Sequence, residues 1–310
     1  MSQESVFHKR LKRFLARPDV KENFMKAFAK RLLWRLHWLT TKRPYVIPFK
    51  NNLKISIPKT GSGSLIYYQG YSELETADFM MRFLRPGMTL VDIGAHIGEY
   101  TLLAAQAVGA SGQVHGFEPQ PGIFPILSEN VQMNNLCNVT LNCKAVSNHI
   151  GEVEFEVFAE PSVSSIRKQV ASSGAEKLVK VATISLDAYW SQQDTKIDLI
   201  KVDVEGAEKL VFQGAEGLMS LPPSTAPVWL FEYSPSAYAD FGYLASDLLN
   251  LLSKYNYHVW QYEGDGKITD FDSRIPVKQI INLIAAKDKN DLLNLLQSES
   301  VHEERAYTSV

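Results

Sequence analysis

Thr89-Leu-Val-Asp-Ile-Gly-Ala-His-Ile-Gly-Glu-Tyr-Thr101 is the stretch that decides how the chain is read. Thr89 to Asp92 predict a buried strand and Ile93 to Gly98 a turn. The apolar residues that follow, Leu102, Leu103, Ala105 and Ala107, predict a helix. A strand that turns through glycines into a helix gathers backbone N–H groups and a positive helix end at one point. Gly94 and Gly98 are expected to let a ligand approach the backbone. The pattern is Asp-x-Gly-x-x-x-Gly rather than Gly-x-Gly-x-x-Gly, so its context has to carry the reading.

That context lies on both sides. Gln113 to Phe117 predict a second strand ending in Glu118-Pro119. An acid about 20 residues beyond such a turn is placed to accept hydrogen bonds from ribose hydroxyls. Phe124 to Asn135 predict a helix and Val139 to Val146 a third strand. Ile197 to Val204 predict a central strand interrupted by Asp198, Lys201 and Asp203, and Gly206 to Phe212 a helix. Val228 to Phe231, ending in Glu232, Tyr257 to Tyr262 and Gln279 to Ala286 predict the remaining strands, with a helix over Leu244 to Leu252. Alternating strands and helices predict an α/β fold around a doubly wound, mostly parallel sheet. Ligands lie outside the carboxyl ends of such strands. Asp92, Glu118, Asp203 and Glu232 all fall at predicted carboxyl ends.

The flanking segments predict additions to this domain. Residues 1–43 hold 12 Lys and Arg against 3 Asp and Glu, a surplus of +9 in a chain whose net charge is -2, which leaves -11 for the rest. Residues 5–40 predict a helix with an apolar stripe at Met25, Phe28, Leu32, Leu36 and Leu39, flanked by Lys26, Lys30, Arg31 and Arg35. It suits either a cap on the domain or peripheral docking on an anionic membrane. Residues 44–70 predict a β-lead-in with strands at Tyr45 to Phe49, Leu53 to Ile57 and Leu65 to Tyr68, and residues 71–297 the main domain. A β-insertion is expected over about 151–186, carrying a polar segment with Arg167 as a candidate acceptor-orienting residue. Residues 298–310 form a polar tail.

Composition excludes several classes. A net charge near zero gives no dominant attraction to nucleic acid. Two cysteines, Cys137 and Cys143, make no disulfide framework. The absence of an 18-residue apolar run and of a signal-peptide core leads us to expect a cytoplasmic protein, peripheral at the membrane if residues 1–43 dock there. The histidines lack zinc-ligand spacing, so no metal ligands are predicted.

Val91 to Thr101, then Gly116-Phe-Glu-Pro-Gln-Pro121, then Ile197-Asp-Leu-Ile-Lys-Val-Asp-Val-Glu-Gly-Ala-Glu208 resemble the FkbM-type S-adenosylmethionine-dependent methyltransferases. The resemblance covers roughly residues 71–265. It implies a seven-stranded Rossmann-like methyltransferase sheet, S-adenosylmethionine as cofactor, and methylation of a hydroxyl on a sugar, glycolipid or related natural product. Asp92, Gly94 and Gly98 would frame the methionine part of the cofactor, Glu118 with Pro119 the ribose, and Ala145 in the third strand the adenine. Asp203 would sit beside the cofactor or acceptor, and Tyr71 and Glu75 would close over the methionine end. His96 stands where the family usually carries Asn.

A hydroxyl is a weak nucleophile, and a base assists by taking its proton. Asp203, Glu205, Glu232 and His96 are the candidates. Asp203 and Glu205 lie two apart, so on a strand they would share a face and repel, or join Glu232 around a divalent cation. Glu205 and Glu208 equally suit a helix N-terminus. Methylation of another acceptor atom, or a non-catalytic membrane-docked scaffold, are the alternatives.

Overall fold

The computed structural model describes residues 20–21, 23–59, 61–158, 164–166, 177–275, 277 and 280–297. Helix α1 (Phe24–Thr40) precedes a hairpin of β1 (Tyr45–Pro48) and β2 (Lys54–Ile57). Helices α2 (Gly63–Gln69) and α3 (Leu74–Phe83) lead into the alternating core. That core begins with β3 (Thr89–Ile93), α4 (Glu99–Val108), β4 (Gln113–Phe117), α5 (Phe124–Met133) and β5 (Val139–Asn142). An insertion of β6 (Ala145–Val146), β7 (Gly151–Val157), β8 (Ser165–Ile166) and β9 (Lys177–Ile184) follows. The second half runs α6 (Leu186–Trp190), β10 (Leu199–Val202), α7 (Glu208–Gln213), α8 (Glu216–Met219), β11 (Val228–Tyr233), α9 (Pro235–Asp240) and α10 (Ala245–Lys254). It closes with β12 (His258–Gly264), β13 (Lys267–Asp270), β14 (Ile281–Ala286) and α11 (Lys289–Gln297).

The main sheet has the order β13-β12-β14-β11-β10-β3-β4-β5. Strands β11, β10, β3, β4 and β5 are parallel, and β14 runs antiparallel between β11 and β12. The strand order reverses between β3 and β10, which puts the crevice there. Both faces are buried. Val91, Ile93, Ile200, Val202, Trp229 and Phe231 join one core with α7 and α10, while Leu90, Leu199, Leu230 and Ile284 join the other with α3, α4 and α11. Alternation along each strand therefore sends Asp92, Lys201 and Glu232 toward the same layer, the one under α3 and α4.

Three expectations change. Leu65 to Tyr68 is helical, within α2: Ile66 and Tyr67 are buried, and Gly70 ends the helix with φ 90. β-propensity yields here to one-sided burial. The third strand splits at Cys143–Lys144, so β5 stays in the main sheet while β6 pairs with β9 in the small sheet β6-β9-β7-β8, and the insertion starts earlier than residue 151. The sheet has an eighth strand, β13, which folds back through Asp265-Gly266, both at positive φ, as an added edge beside the seven expected strands. The predicted helix over 5–40 is described from residue 20 onward, and the candidate Arg167 and the tail 298–310 lie outside the described residues. Cys137 and Cys143 are exposed free thiols.

Candidate functional site at the strand ends

The turn after β3 is shaped by its neighbours inside the protein. A Cβ on Gly94 would lie 1.8 Å from the Asp203 carbonyl oxygen, and Gly94 has φ +79. A Cβ on Gly98 would lie 2.6 Å from Leu127 Cδ1. Both glycines thus let the turn pass under β10 and α5, and Gly94 also lines the cavity. The amides of Gly94 and Ala95 both donate to the Phe117 carbonyl at 2.9 Å, and Gly98 N donates to Ala95 O at 2.8 Å. The His96 amide donates to Glu118 Oε2 at 2.9 Å. The amides of Gly94, Ala95, His96 and Gly98 engage the protein itself, and Gly94, Ala95, His96 and Ile97 line the cavity, His96 at φ 48.

Below the turn lies a charge set in which Lys201, an apparent strand interruption in the sequence, joins Asp92 and Asp203. Lys201 pairs in register with Asp92. Its Nζ is 3.1 Å from Asp203 Oδ2 and 3.9 Å from Asp92 Oδ1, and 5.1 Å from the centre of the Tyr100 ring. Asp92 Oδ2 accepts from Thr101 Oγ1 at 2.6 Å, while Oδ1 has no hydrogen-bond partner. Burial opposes the Lys201 cation, but the carboxylates of Asp203, Asp92 and Glu73 outweigh it and raise its pKa. Burial raises Asp92, against the pull of Lys201 and Thr101. Asp92 and Gly98 support the site from beneath and do not line its cavity.

Glu118 follows β4 and is buried. Its oxygens accept from the amides of His96 and Gln120, at 2.9 and 2.8 Å. Burial pushes it up to about 7, against those two bonds. Each oxygen keeps a lone pair for another donor. His96 Nδ1 lies 3.3 Å from Ser62 Oγ and Nε2 has no partner. Burial lowers its pKa to about 4, so at neutral pH it is an uncharged imidazole.

Asp203, Glu205 and Glu232 converge: one carboxylate oxygen from each lies within 4.8 Å of the others. Such a set could hold a divalent cation. Glu205 adopts φ 54, a left-handed conformation unusual for its type, so its position is set by the loop and not by an extended strand shared with Asp203. Burial, then Asp203 and Glu205, raise Glu232 to about 10, so it carries a proton at neutral pH. Its Oε2 has no partner. Glu208, in the first turn of α7, holds the preceding loop: its Oε1 accepts from the amides of Val204 and Gly206, each at 3.2 Å. Tyr233, Tyr238, Phe241 and Tyr243 are buried in the core, Tyr238 stacking on Tyr243 at 5.0 Å, so they pack and present no sugar platform.

These groups surround a cavity of about 370 Å³. Gly94, His96, Glu118, Pro119, Ala145, Asp203, Glu205 and Glu232 all line it. Tyr71 and Glu75 do not: Glu75 is exposed on the first turn of α3, and Tyr71 packs against Phe49 with Lys50 over its ring. The wall there is built from Ser72, Glu73, Glu99 and Tyr100. Glu99 is buried, takes the Ser72 amide at 2.8 Å, and is pushed up to about 7 by burial. Its position at the start of α4, one residue past the glycine turn, was the signal in the sequence for including it.

A family model described as the methyltransferase FkbM domain matches residues 92–259, more than half the chain. The chain belongs to the FkbM methyltransferase family. A search of curated proteins returned no match. Among solved structures, a protein from Clostridium thermocellum described as a putative rRNA-methylase is 15% identical over 68% of this chain and 93% of its own, with TM-score 0.42. An S-adenosylmethionine-dependent O-methyltransferase from Thermotoga maritima is 13% identical, covering 79% and 78%, with TM-score 0.37. An O-methyltransferase from Bacillus cereus in complex with SAH is 14% identical, covering 69% and 80%, with TM-score 0.40.

S-adenosylmethionine is the cofactor of this FkbM methyltransferase, and the residues present fit it. It carries a cationic sulfonium, and the cavity is lined by the acidic side chains of Glu73, Asp203 and Glu205, with Glu99 and Glu118 ionising near neutral pH, against Lys144 and Lys201. Phe117, Val146, Phe155 and Ile166 form an apolar wall suited to a flat base. The unpartnered Glu232 Oε2 and His96 Nε2 belong to residues of the lining.

Proposed function

We propose that this FkbM methyltransferase transfers a methyl group to a hydroxyl of a sugar, glycolipid or related natural product. The carrying observation is the convergence of Asp203, Glu205 and Glu232 in the cavity that begins at the glycine turn. When bound, S-adenosylmethionine supplies a methyl already activated on sulfur, so the protein's work is orientation, exclusion of water and proton removal.

The residues divide as follows. Glu118 accepts from the ribose hydroxyls with the lone pairs that its two amide donors leave free. Pro119 and Ala145, with the apolar wall, hold the base. Glu73 and Glu99 face the methionine end in place of the expected Tyr71 and Glu75. Asp203 takes the hydroxyl proton as the carbon–oxygen bond forms, held by Lys201 at 3.1 Å. Glu232, already protonated at neutral pH, donates a hydrogen bond to the acceptor. Glu205 and neutral His96 are further acceptor contacts.

Mass spectrometry of glycans and lipids from cells with and without the gene tests this. We expect one class of sugar-bearing molecules to lose about 14 Da per site without the gene, the mass that a single donated methyl adds in place of a proton. Unchanged glycans and lipids, with a methyl lost from protein or nucleic acid, would refute it.

A further inference from the structure

Among the described residues, helix α1 packs on the domain by one side. Ala27 is buried and Trp34 sits against Tyr67 and Tyr68, at 4.9 and 5.9 Å between ring centres. Lys30 Nζ reaches the Tyr67 carbonyl at 3.4 Å, and the Tyr67 hydroxyl donates to the Lys30 carbonyl at 3.0 Å. At 100° per residue, the opposite side carries Met25, Phe28, Leu32, Leu33, Leu36 and Leu39. All six are between 47% and 82% exposed. The outward face of a helix packed on a globular domain is normally polar, so a continuous apolar strip about 21 Å long marks an interaction surface.

Its rim is cationic. Lys26 and Arg35 are exposed on the two sides of the strip, and Lys42 and Arg43 are exposed just past the helix end. The remainder of the chain, beyond residue 43, carries -11. This basic rim discriminates between occupants. Pairing the strip with a second copy would bring the same cations together around one seam. Anionic headgroups would meet them with opposite charge while acyl chains take the apolar strip.

We propose that α1 docks this protein flat on an anionic membrane surface, with Leu32 and Leu36 at the centre of the inserted strip. α2 lies between this helix and the cavity: Tyr67 and Tyr68 contact α1, while Leu65 lines the cavity. Docking thus holds the methyl-transfer site one short helix from the bilayer, which suits an acceptor anchored in lipid. The docking itself does not rest on the methyl-transfer reading.

The test is co-sedimentation of the full chain with phosphatidylcholine vesicles, with and without phosphatidylglycerol, alongside light scattering and titration with S-adenosylhomocysteine. We expect binding to the anionic vesicles that weakens with salt. Leu32→Glu with Leu36→Glu should reduce the partition at least tenfold or so, and Lys26→Glu with Arg35→Glu should reduce it only on anionic vesicles, by about tenfold. Both variants alter exposed residues and should bind S-adenosylhomocysteine as the wild type does. Absence of binding to anionic vesicles overturns the proposal. So does binding that neither variant weakens, or a dimer that the leucine variant dissociates. Should the leucine variant misfold, the charge variant decides alone. Lipid binding by a protein that ignores S-adenosylhomocysteine would sink the methyl-transfer reading and leave docking intact.

Discussion

Replacing Lys201 by methionine removes the cation that Asp92 and Asp203 share while nearly preserving volume. Asp92 is fully buried, and its Oδ1 already lacks a hydrogen bond. Without Lys201 it keeps only the 2.6 Å bond from Thr101. Removing one partner of a buried pair leaves an uncompensated charge and costs about 3–5 kcal/mol. At roughly 2 °C per kcal/mol for a chain of this size, Tm should fall by about 6–10 °C. Adding Asp92→Asn to the methionine variant removes the stranded charge, and should restore about 2 kcal/mol through coupling of the two positions. Urea denaturation of the wild type, both single variants and the double variant measures that coupling directly. A Lys201→Met variant that loses less than about 1 kcal/mol, or a double variant whose loss is the plain addition of the singles, would refute the account of this charge set.

Other predictions follow from the same geometry. Gly94→Ala places a Cβ 1.8 Å from the Asp203 carbonyl at a left-handed φ, and should cost about 3 kcal/mol or more together with cofactor binding, read by thermal melting and calorimetry. Glu99, Glu118 and Glu208, each raised from 4.5 to about 7 mainly by burial, favour the fold fully below about 4.5 and lose that contribution as pH rises through about 7. Tm should therefore decline across this window, and Glu208→Gln should flatten part of the decline. Ribose hydroxyls favour the Glu118 carboxylate, so cofactor binding near pH 6 should release a proton, seen as a buffer-dependent enthalpy that Glu118→Gln abolishes. Glu232→Gln mimics the proton-bearing side chain and should leave Tm within about 2 °C in the absence of divalent cations, whereas a drop of about 6 °C or more would show that the carboxylate is ionised.

The strands of the central sheet were legible because burial on both faces imposes runs such as Ile197 to Val202, and their carboxyl ends placed Glu118, Asp203 and Glu232 at one cavity. What escaped was set by tertiary partners. Leu65 to Tyr68 reads as β by residue type, and only burial of Ile66 and Tyr67 with the turn at Gly70 makes it helical. The edge strand β13 followed from the Asp265-Gly266 turn, a local signal that was present and passed over. The purpose of Gly94 was hidden because the carbonyl it accommodates lies 109 residues away in the chain. Lys201 looked like an interruption of an apolar strand because its partner Asp92 is fixed by β3–β10 register, which no local pattern encodes.

The proposed function requires the cavity at the β3, β4 and β10 ends to bind the sulfonium cofactor through Glu118. Calorimetric titration of the purified full chain with S-adenosylmethionine tests it most directly. The account predicts saturable one-to-one binding that Glu118→Ala weakens by about 2 kcal/mol or more, the loss of a charge-assisted hydrogen-bond acceptor, with the fold intact by melting. No binding by the wild type, or equal binding by a folded Glu118→Ala variant, would contradict it.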